Sequence, residues 1–437
     1  MMPRNIYLRL GSLEREISET TALMQSGLAR STCCIYRPPP TLCSTNGGVA
    51  YSPQVVSIGP YRRYTPNPLA LVAMDNHKVE FISLLLQRTH LGLDDLLERI
   101  RPLEMEAREC YPNDWELPID EDLFLKMIVL DGCFLIELFR KANKESQDPL
   151  ATIPRAVPYV YGDLLMIGNQ IPFSVLEELF DTTKMQDESN DSLSLLALQF
   201  FYKVMQRPKE VIEKLHNQLP PDQKPLHLLD LVRSSFLTPL PLPLPRRNNE
   251  TIRLIPSVSK LRRAGIKVKP TRKADSFLDV KFRNGVINMP NIVIDHCMKT
   301  FLLNCVAFEE LHKSLSKQFT VYASFLDCLV DIKWDAGHLC EQNIFDSYLG
   351  NDDDVVQFIN NMGKDLAFAD DQFYLSQLFE DVNERYRSPF KLQWASFKST
   401  YFNTPWTLIS ALAAFVLLVL TSLQTFYTIY AYVHPKA

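Results

Sequence analysis

Apolar positions recur every three to four residues along most of this chain, a spacing that predicts amphipathic helices. One example is the segment MDNHKVEFISLLLQR, in which four apolar side chains fall on one predicted helical face: Val79, Ile82, Leu85 and Leu86. The segment EDLFLKMIVLDGCFLIELFRKA, which starts at Glu121, is apolar on nearly every side and predicts a central, mostly buried helix.

Prolines divide or begin several of these helices. Pro102 interrupts DLLERIRPLEMEARECY, and Pro172 is expected near a helix start or a kink in LLMIGNQIPFSVLEELFD. Helical spacing returns in SLSLLALQFFYKVM, PLHLLDLVRSSF, HCMKTFLLNCVAFEEL, YASFLDCLVDIKW, DDDVVQFINNM and FYLSQLFEDVNERY. The pattern therefore predicts a mainly α fold, a multi-helix domain built from antiparallel helices.

Alternating apolar positions predict two β elements. Residues 55–58 are expected to form a short strand within a proline-rich and glycine-rich loop. In residues 278–282 the alternation is followed by the pair Asn284 and Gly285, which is typical of a tight turn, and apolar residues resume at Val286. The sequence therefore adds a small β hairpin to the helical fold.

The end of the chain predicts a C-terminal transmembrane helix over residues 404–432. No charged side chain occurs between Lys398 and His434, and Thr404-Pro405 is typical of a helix start. An apolar helix of about 25 residues rises about 37 Å, which is enough to cross a hydrocarbon layer of about 30 Å. The positions assigned to the membrane span include Trp406, Ser410, Ala414 and Tyr430.

Charge on either side of this helix predicts the orientation. Four basic residues occur in residues 385–398, before the helix, and Lys436 follows it, which places the large domain in the cytosol. The N-terminal segment has no uninterrupted apolar run of the kind a secretory signal needs. We therefore expect a single-pass, tail-anchored protein of the plasma membrane or endoplasmic reticulum. Use of the glycosylation sequons at Asn190 or Asn249 would contradict this orientation.

The lipid bilayer is the first expected partner, and a protein partner of unknown identity is the second. Ser410 and Ala414 form a small-x-x-x-small pair that favours pairing of membrane helices, so a homo-oligomer is a further expectation. The predicted organisation has five parts: a variable lead-in over 1–30, a helical lobe over 31–236, a proline-rich linker over 237–256, a second lobe with the hairpin over 257–400, and the membrane helix over 404–432.

Composition narrows the classes of function. The 437 residues are 46% hydrophobic and 22% charged, with a net charge of -5, which argues against a nucleic-acid-binding protein. Charge is nevertheless uneven, since residues 246–273 carry ten basic and one acidic residue. A candidate patch for an anionic membrane or an acidic partner is Arg262, Arg263, Lys267 and Lys269. The alternative is that this segment pairs with the acidic residues of 346–371.

No motif fixes a reaction or a ligand. The sequence lacks the glycine-rich phosphate loops, the H-E-x-x-H zinc motif and the nucleophile elbow, so we assign no catalytic, cofactor-binding or metal-binding residue. The nine cysteines have no C-x-x-C spacing and are expected to be small buried residues in a reducing compartment. His338 and Cys340 supply two metal-ligand types, but no second pair accompanies them.

Two acidic residues lie in the very apolar segment IVLDGCFLIELF. Asp131 and Glu137 are expected to act as a general base, to hold a neighbouring loop by hydrogen bonds, or to lie on a solvent-facing edge. Asn169 and Gln170 are expected to bind the proline-rich loops in a similar way.

In the order of several short sequence motifs, the chain resembles the plant family called domain of unknown function 247. These motifs are YSPQVVSIGPY, LDGCFLIELF, GNQIPFSVLEELF, LRRAGIKVKP, LDVKFRNGVI and YFNTPWTLIS, and they run through about nine tenths of the chain. Two positions depart from the family pattern: residues 62–64 are Arg-Arg-Tyr where histidines are common, and Gly168 stands where glutamate is common.

The resemblance implies a plant membrane protein with a mostly helical domain and no assigned activity, and some family members are implicated in self-recognition between pollen and stigma in grasses. Our first hypothesis is a membrane-anchored interaction or recognition protein. The alternatives are a membrane-tethered enzyme whose site is formed by residues distant in sequence, and a scaffold that self-associates through its anchor.

Overall fold

The computed structural model describes residues 33–45, 48–61, 69–112, 119–144, 157–188, 191–202, 204–205, 207, 209–217, 224–237, 253–271, 274–364, 366, 373–387 and 405–433. Helices predominate among these residues, and the strands are few and short, which confirms the mainly α prediction. The chain divides into two compact units, Met1–Arg233 and Ser234–Ala437.

The first unit is built from helices. They are α1 (Pro40–Thr45), α2 (Leu69–Thr89), α3 (Leu93–Ile100), α4 (Glu104–Glu109), α5 (Glu121–Lys144), α6 (Val157–Asp163), α7 (Phe173–Thr182), α8 (Leu193–Phe201), α9 (Lys209–His216) and the start of α10 (Leu228–Leu237). Short 3-10 turns add Val49–Tyr51, Arg101–Leu103 and Gln186–Glu188. Pro102 lies in the second of these turns and separates α3 from α4, and Pro172 directly precedes α7, as predicted.

The centre of this unit is α5, against which α2, α7 and α8 pack. Its side chains are buried from Phe124 to Arg140 with few interruptions, which confirms the predicted central helix. The predicted inward face of α2 is wrong at one position. Val79 is 59% exposed, and Lys78 is buried instead. The reason is that the ammonium group of Lys78 has buried acceptors, described below, which compensate for its lost hydration.

The strand predicted at residues 55–58 is absent from the described structure, where this segment does not pair with any strand. Val55, Val56 and Ile58 are buried, so the apolar pattern was informative about burial. Their N–H groups bind side chains of other elements, and this leaves no donor for a strand partner.

The second unit combines helices with two small sheets. Its helices are α11 (Val258–Arg263), α12 (His296–Leu311), α13 (Gln318–Leu329), α14 (Lys333–Glu341), α15 (Asp352–Gly363), α16 (Ser376–Arg387) and α17 (Pro405–Val433). Its strands are β1 (Lys267–Thr271), β2 (Lys281–Arg283), β3 (Val286–Pro290), β4 (Ile292–Ile294) and β5 (Phe345–Ser347). The predicted linker over 237–256 lies largely outside the described residues.

The predicted hairpin is confirmed: β2 and β3 pair antiparallel. Asn284 and Gly285 form the turn with φ angles of 52° and 78°, the left-handed conformation that a two-residue hairpin turn requires. The structure adds β1, which pairs parallel to β3 and gives the strand order β1-β3-β2. A second parallel pair, β4 with β5, was not predicted.

Buried acids begin or join helices in this unit. Glu309 accepts hydrogen bonds from the N–H groups of Phe319 and Thr320 at the start of α13. Asp335 accepts from the N–H of Ser259 at 2.8 Å, so α14 is joined to the first turn of α11. Each acid satisfies helix-terminal donors that have no partner within their own helix.

Candidate functional site

Asp163, the last residue of α6, holds residues 52–61, which we call the clamped segment. Its carboxylate accepts hydrogen bonds from the N–H groups of Gln54 at 3.0 Å, Val55 at 2.7 Å and Val56 at 2.9 Å. The side chain is fully buried. One carboxylate therefore satisfies three consecutive backbone donors that would be costly to bury unpaired.

Asp131 of α5 holds the same segment from a second side. One carboxylate oxygen accepts the N–H of Gly59 at 2.9 Å, and the other accepts the ammonium group of Lys78 at 2.8 Å. Lys78 also donates to the carbonyl oxygen of Ser57. Because both carboxylate oxygens bind buried donors, the expectation that Asp131 holds a loop by hydrogen bonds is confirmed.

Asn169 and Gln170 complete the clamp. Asn169 accepts from the N–H of Ile58 at 2.7 Å and donates to the carbonyl oxygen of Val56 at 2.9 Å. Gln170 accepts from the N–H of Leu229 at 3.1 Å. The predicted binding of Asn169 to this loop is therefore confirmed, and Gln170 connects the same turn to α10.

The space beside this polar cluster is filled. It is lined by Ile58, Leu135 and Leu176 together with Asn169 and Gln170, and it has no room for a water molecule. A substrate site needs a cavity in which polar groups converge on a ligand. These polar groups converge on the backbone instead, so the arrangement is a structural clamp.

Glu137 belongs to a second buried group of charges on α5. Its carboxylate lies 3.1 Å from the guanidinium group of Arg88. Arg140 lies one turn further along and binds Glu188 at 3.0 Å, and Glu188 also binds Lys144 at 2.9 Å. Burial lowers the pKa of Arg140, although the charge of Glu188 opposes this effect.

Opposing causes act on the pKa of Glu188, and their net effect is to lower it. Burial raises the pKa of this carboxyl, but the hydrogen bond from Lys144 and the charge of Arg140 outweigh it. The carboxylate therefore stays ionised and ties the 3-10 turn Gln186–Glu188 to α5. This group of charges is a structural network, and Glu137 has a structural partner within it.

The second unit has a cavity of about 400 Å³ beside β5. Its lining is mostly amide and carboxylate: Asn291, Cys340, Asn343, Phe345, Asp346, Ser347, Gly350, Asn351 and Asp352. Burial, with the charges of Asp352 and Asp346, raises the pKa of the Cys340 thiol, so this cysteine is a poor nucleophile.

His338 does not combine with Cys340 in a metal site within the described residues, where no three His, Cys, Asp or Glu side chains are grouped to hold an ion. Its imidazole ring instead stacks on Trp334, with ring centroids 4.9 Å apart and planes 9° apart. All nine cysteines are free thiols, and Cys34, Cys133, Cys297 and Cys305 are buried.

The four residues of the predicted basic patch are all exposed. Arg262 and Arg263 end α11, and Lys267 and Lys269 alternate with buried Val268 in β1. Arg262 lies 5.5 Å above the ring of Trp334. Across the residues that the structure describes, none of the four pairs with a carboxylate, so their charges are directed at solvent.

The C-terminal apolar stretch forms α17, whose 29 residues begin at Pro405 as predicted. Within it, Leu412–Tyr430 is long and apolar enough to cross a membrane, and none of this stretch is buried in the protein. Ser410, Ala414 and Tyr430 are exposed on the helix, and Trp406 lies in its first turn.

Some predicted features lie outside the described residues: Arg62–Tyr64 at the first departure from the family pattern, and the sequons at Asn190 and Asn249. Gly168, the second departure, is described and buried. A Cβ there would lie 3.4 Å from both Pro38 Cδ and the carbonyl oxygen of Tyr36. These distances are ordinary van der Waals contacts, so a Cβ at this position is in contact with residues 36–38 without overlapping them.

Sequence reasoning missed two residues of the clamp, Lys78 and Asp163. Lys78 occupies an inward helical position at i and i+4 spacing with Met74 and Ile82, a signal that the helical pattern contains. Asp163 ends α6 after a short apolar segment and carries no comparable signal in its own neighbourhood.

These features define a mainly helical protein with two internally clamped units and one candidate membrane-spanning helix. The family model for a plant protein of unknown function, DUF247, matches residues 35–420. The chain belongs to this family.

Two curated relatives from Arabidopsis thaliana cover nearly the whole chain. The protein is 32% identical to UPF0481 protein At3g47200, over 98% of this chain and 92% of that relative. It is 24% identical to the putative UPF0481 protein At3g02645, over 96% of this chain and 93% of that relative. No solved structure matches the chain.

Proposed function

We propose that this protein is a membrane-anchored interaction module in which α17 spans a bilayer and the helical units bind a protein partner. One observation carries the proposal: the 29 residues of α17 include no charged side chain. Apolar side chains are exposed on all sides of the helix, with Phe415, Leu417 and Leu418 each more than 60% exposed. A helix that is apolar all round needs an apolar surrounding, which a bilayer supplies.

A binding role, as opposed to catalysis, is supported by the structural contacts that occupy the buried polar residues. Asp131, Asp163 and Asn169 bind backbone groups, and Glu137 and Glu188 bind arginine or lysine. The alternative is a membrane-tethered enzyme, for which a deep apolar pocket with converging polar groups would be the supporting feature. The cavity beside β5 has mainly polar walls instead.

Alkaline extraction of membranes tests the anchor. We expect the full chain to remain in the membrane fraction, and a variant carrying Leu417→Arg and Leu420→Arg to be released, since each central arginine costs about 3 kcal/mol on insertion. The matched control is Leu254→Arg, at an exposed leucine outside α17, which should stay with the membrane. Release of the unmodified chain by alkali would contradict the proposal.

The proposed orientation places the first unit, and the part of the second unit that precedes α17, in the cytosol. Glycan attached at Asn190 or Asn249 would contradict it, because N-glycosylation occurs on the lumenal side. The basic residues before α17 support the cytosolic placement, as described for the sequence.

Proximity labelling in intact plant cells tests the interaction role. The full chain should label a set of proteins that the anchor alone, residues 388–437, does not label, because the helical units provide the specificity. Self-recognition is the narrower form of this proposal, and it predicts that two differently tagged full chains label each other. Identical labelling by the full chain and the anchor alone would contradict an interaction role of the helical units.

A further inference from the structure

The strand register gathers cations from two separate sequence segments onto one side of the three-stranded sheet. Lys267 and Arg283 flank Val286 of β3, and Lys269 and Lys281 occupy the corresponding flanking positions two residues further along β3. Paired residues share a side of a sheet, as do residues two apart in one strand. The four cationic side chains therefore project from one surface, which we call the cationic sheet face.

Burial shows that this surface is the outer one. Lys267, Lys269, Lys281 and Arg283 are exposed. The intervening Val268, Ile287 and Met289 are buried on the other side. Lys281 pairs with Asp279 at 2.7 Å, whereas the other three have no carboxylate partner among the described residues. Three of the four charges are thus available to an external anion.

The end of α11 extends this surface. Arg262 and Arg263 are exposed in its last turn, and Gly265, with φ of 76°, turns the chain into β1. The N–H of Ile266 donates to the carbonyl oxygen of Leu261 at 3.0 Å, which closes the helix end tightly. The two arginines therefore precede Lys267 by a single tight turn.

The last described helix before α17, which is α16, ends beside this surface, and we call its end the exit. The guanidinium group of Arg385 packs against Gly285 of the hairpin turn so closely that a Cβ there would overlap it. The carbonyl oxygen of Gly285 accepts the N–H of Lys267 at 3.0 Å. Arg387, which is exposed, ends α16 two residues after Arg385. The cationic sheet face and the start of the segment that leads to the membrane helix are therefore neighbours.

Covalent geometry limits how far the bilayer can be from this exit. Residues 388–404 separate Arg387 from Pro405, the first residue of α17. At about 3.3–3.6 Å per residue, this segment spans at most roughly 60 Å. A bilayer crossed by α17 is therefore always within reach of the exit.

We propose that the cationic sheet face binds the anionic lipid headgroups of the bilayer that α17 spans. The inference rests on the proposed membrane anchoring. Lipid is favoured over an acidic protein because the chain itself keeps a bilayer close to this surface, and each lysine or arginine near an anionic leaflet gains about 1 kcal/mol. Among the nearby acids, Asp279 is paired with Lys281, and α16 carries the exposed carboxylates Glu380 and Glu384 beside the basic residues Arg385 and Arg387.

The test uses the full chain in lipid nanodiscs, one set of phosphatidylcholine alone and one with about 30% phosphatidylserine. Acetylation of lysine amines is followed by mass spectrometry at Lys267 and Lys269, with exposed Lys126 of α5 as the internal reference. We expect the two lysines to react at least about fivefold more slowly, relative to Lys126, in the discs with phosphatidylserine. This protection should disappear in about 1 M salt, where charge is screened within about 3 Å.

A charge-matched pair of variants sharpens the test. Arg263→Gln with Arg283→Gln removes two cations of the face but neither labelled lysine, and it should reduce the protection at Lys267 and Lys269. The control, Arg99→Gln with Arg101→Gln, removes two exposed arginines of the first unit and should leave the protection unchanged.

Three results would overturn the inference. Equal labelling in both kinds of disc would exclude lipid binding while leaving the membrane anchor intact. Protection that is seen in native plant membranes but in neither disc would assign the face to an acidic protein partner. A chain that does not float with the discs would refute the proposed anchoring, and the lipid contact with it, and flotation detects this result separately from the labelling.

Discussion

The clamped segment and the hairpin of β2 and β3 are both partly apolar stretches outside the helices, but their backbone donors have different partners. In the hairpin, the strands pair with each other across a two-residue turn. In the clamped segment, consecutive donors bind Asp163, Asn169 and Asp131, which come from other parts of the chain. One region is stabilised by its own backbone, and the other depends on a few buried side chains.

This difference concentrates the stability of the clamped segment in very few residues. Loss of one carboxylate orphans several buried donors together, whereas loss of one hairpin side chain leaves the ladder intact. The contrast predicts that single substitutions lower the free energy of unfolding by a large amount in the clamped segment and by a small amount in the hairpin.

The largest effect is expected for Asp163→Ala. Three consecutive N–H groups lose their acceptor, two of them in the buried residues Val55 and Val56, so the free energy of unfolding of the first unit should fall by about 3–5 kcal/mol. Chemical denaturation of the full chain in detergent, with hydrogen exchange at residues 54–56, measures this. The control Asp279→Ala removes a surface ion pair of the hairpin and should cost less than about 1 kcal/mol. Equal losses of unfolding free energy in the two variants would contradict the contrast between the clamped segment and the hairpin.

Lys78→Met should cost about 3 kcal/mol, because it leaves the carboxylate of Asp131 buried without its counter-ion. Adding Asp131→Asn removes that charge and should recover part of the loss. The coupling energy from this double-mutant cycle, measured by denaturation, should exceed about 1 kcal/mol. Additive effects would show that the two side chains do not act as a pair.

Two glycines provide a matched test of the contrast. Gly59 and Gly285 have φ angles of 71° and 78°, so alanine is strained at both. A Cβ at Gly59 would lie 2.6 Å from the backbone carbonyl oxygen of Gln170, whereas at Gly285 it would meet the flexible side chain of Arg385. Gly59→Ala should therefore destabilise by about 2 kcal/mol more than Gly285→Ala. The reverse order, in the same denaturation assay, would contradict a rigid clamp.

Acid should affect the carboxylate-dependent first unit earlier than the hairpin. The folded-state pKa of Glu188 is lower than its ordinary value of 4.5. The stabilisation that the ionised Glu188 carboxylate contributes is therefore fully present above about pH 4.5, and it is lost as the pH falls through the folded-state pKa. Denaturation midpoints of the unmodified chain should decline over this range, and those of Glu188→Gln should decline less. Parallel curves would exclude Glu188 as the source.

The helical framework follows from the sequence because its information is local. The apolar spacing around α5, the proline interruption at Pro102 and the Asn284-Gly285 turn each lie within one short segment, and all three are present in the structure. The same locality explains the correct start of α17 at Pro405.

The errors come from long-range partners. Lys78 is buried because it binds Asp131, which lies 53 residues away in sequence. Residues 55–58 form no strand because Asp163, more than 100 residues away, accepts their backbone hydrogen bonds. No local pattern contains either distance. The cationic sheet face is a similar case, since the basic residues of β1 are visible in the sequence but their register with Arg283 is not.

The position of Arg387 has a consequence for affinity. Because the same chain would hold both the cationic sheet face and the bilayer, their association is intramolecular, and a short covalent link gives the headgroups a high effective concentration. Contacts too weak to recruit a free protein would then suffice to orient a tethered one. The main effect of the face would be to orient the protein at the membrane, and not to hold it there. It would determine which surfaces of the helical units point away from the lipid toward a partner.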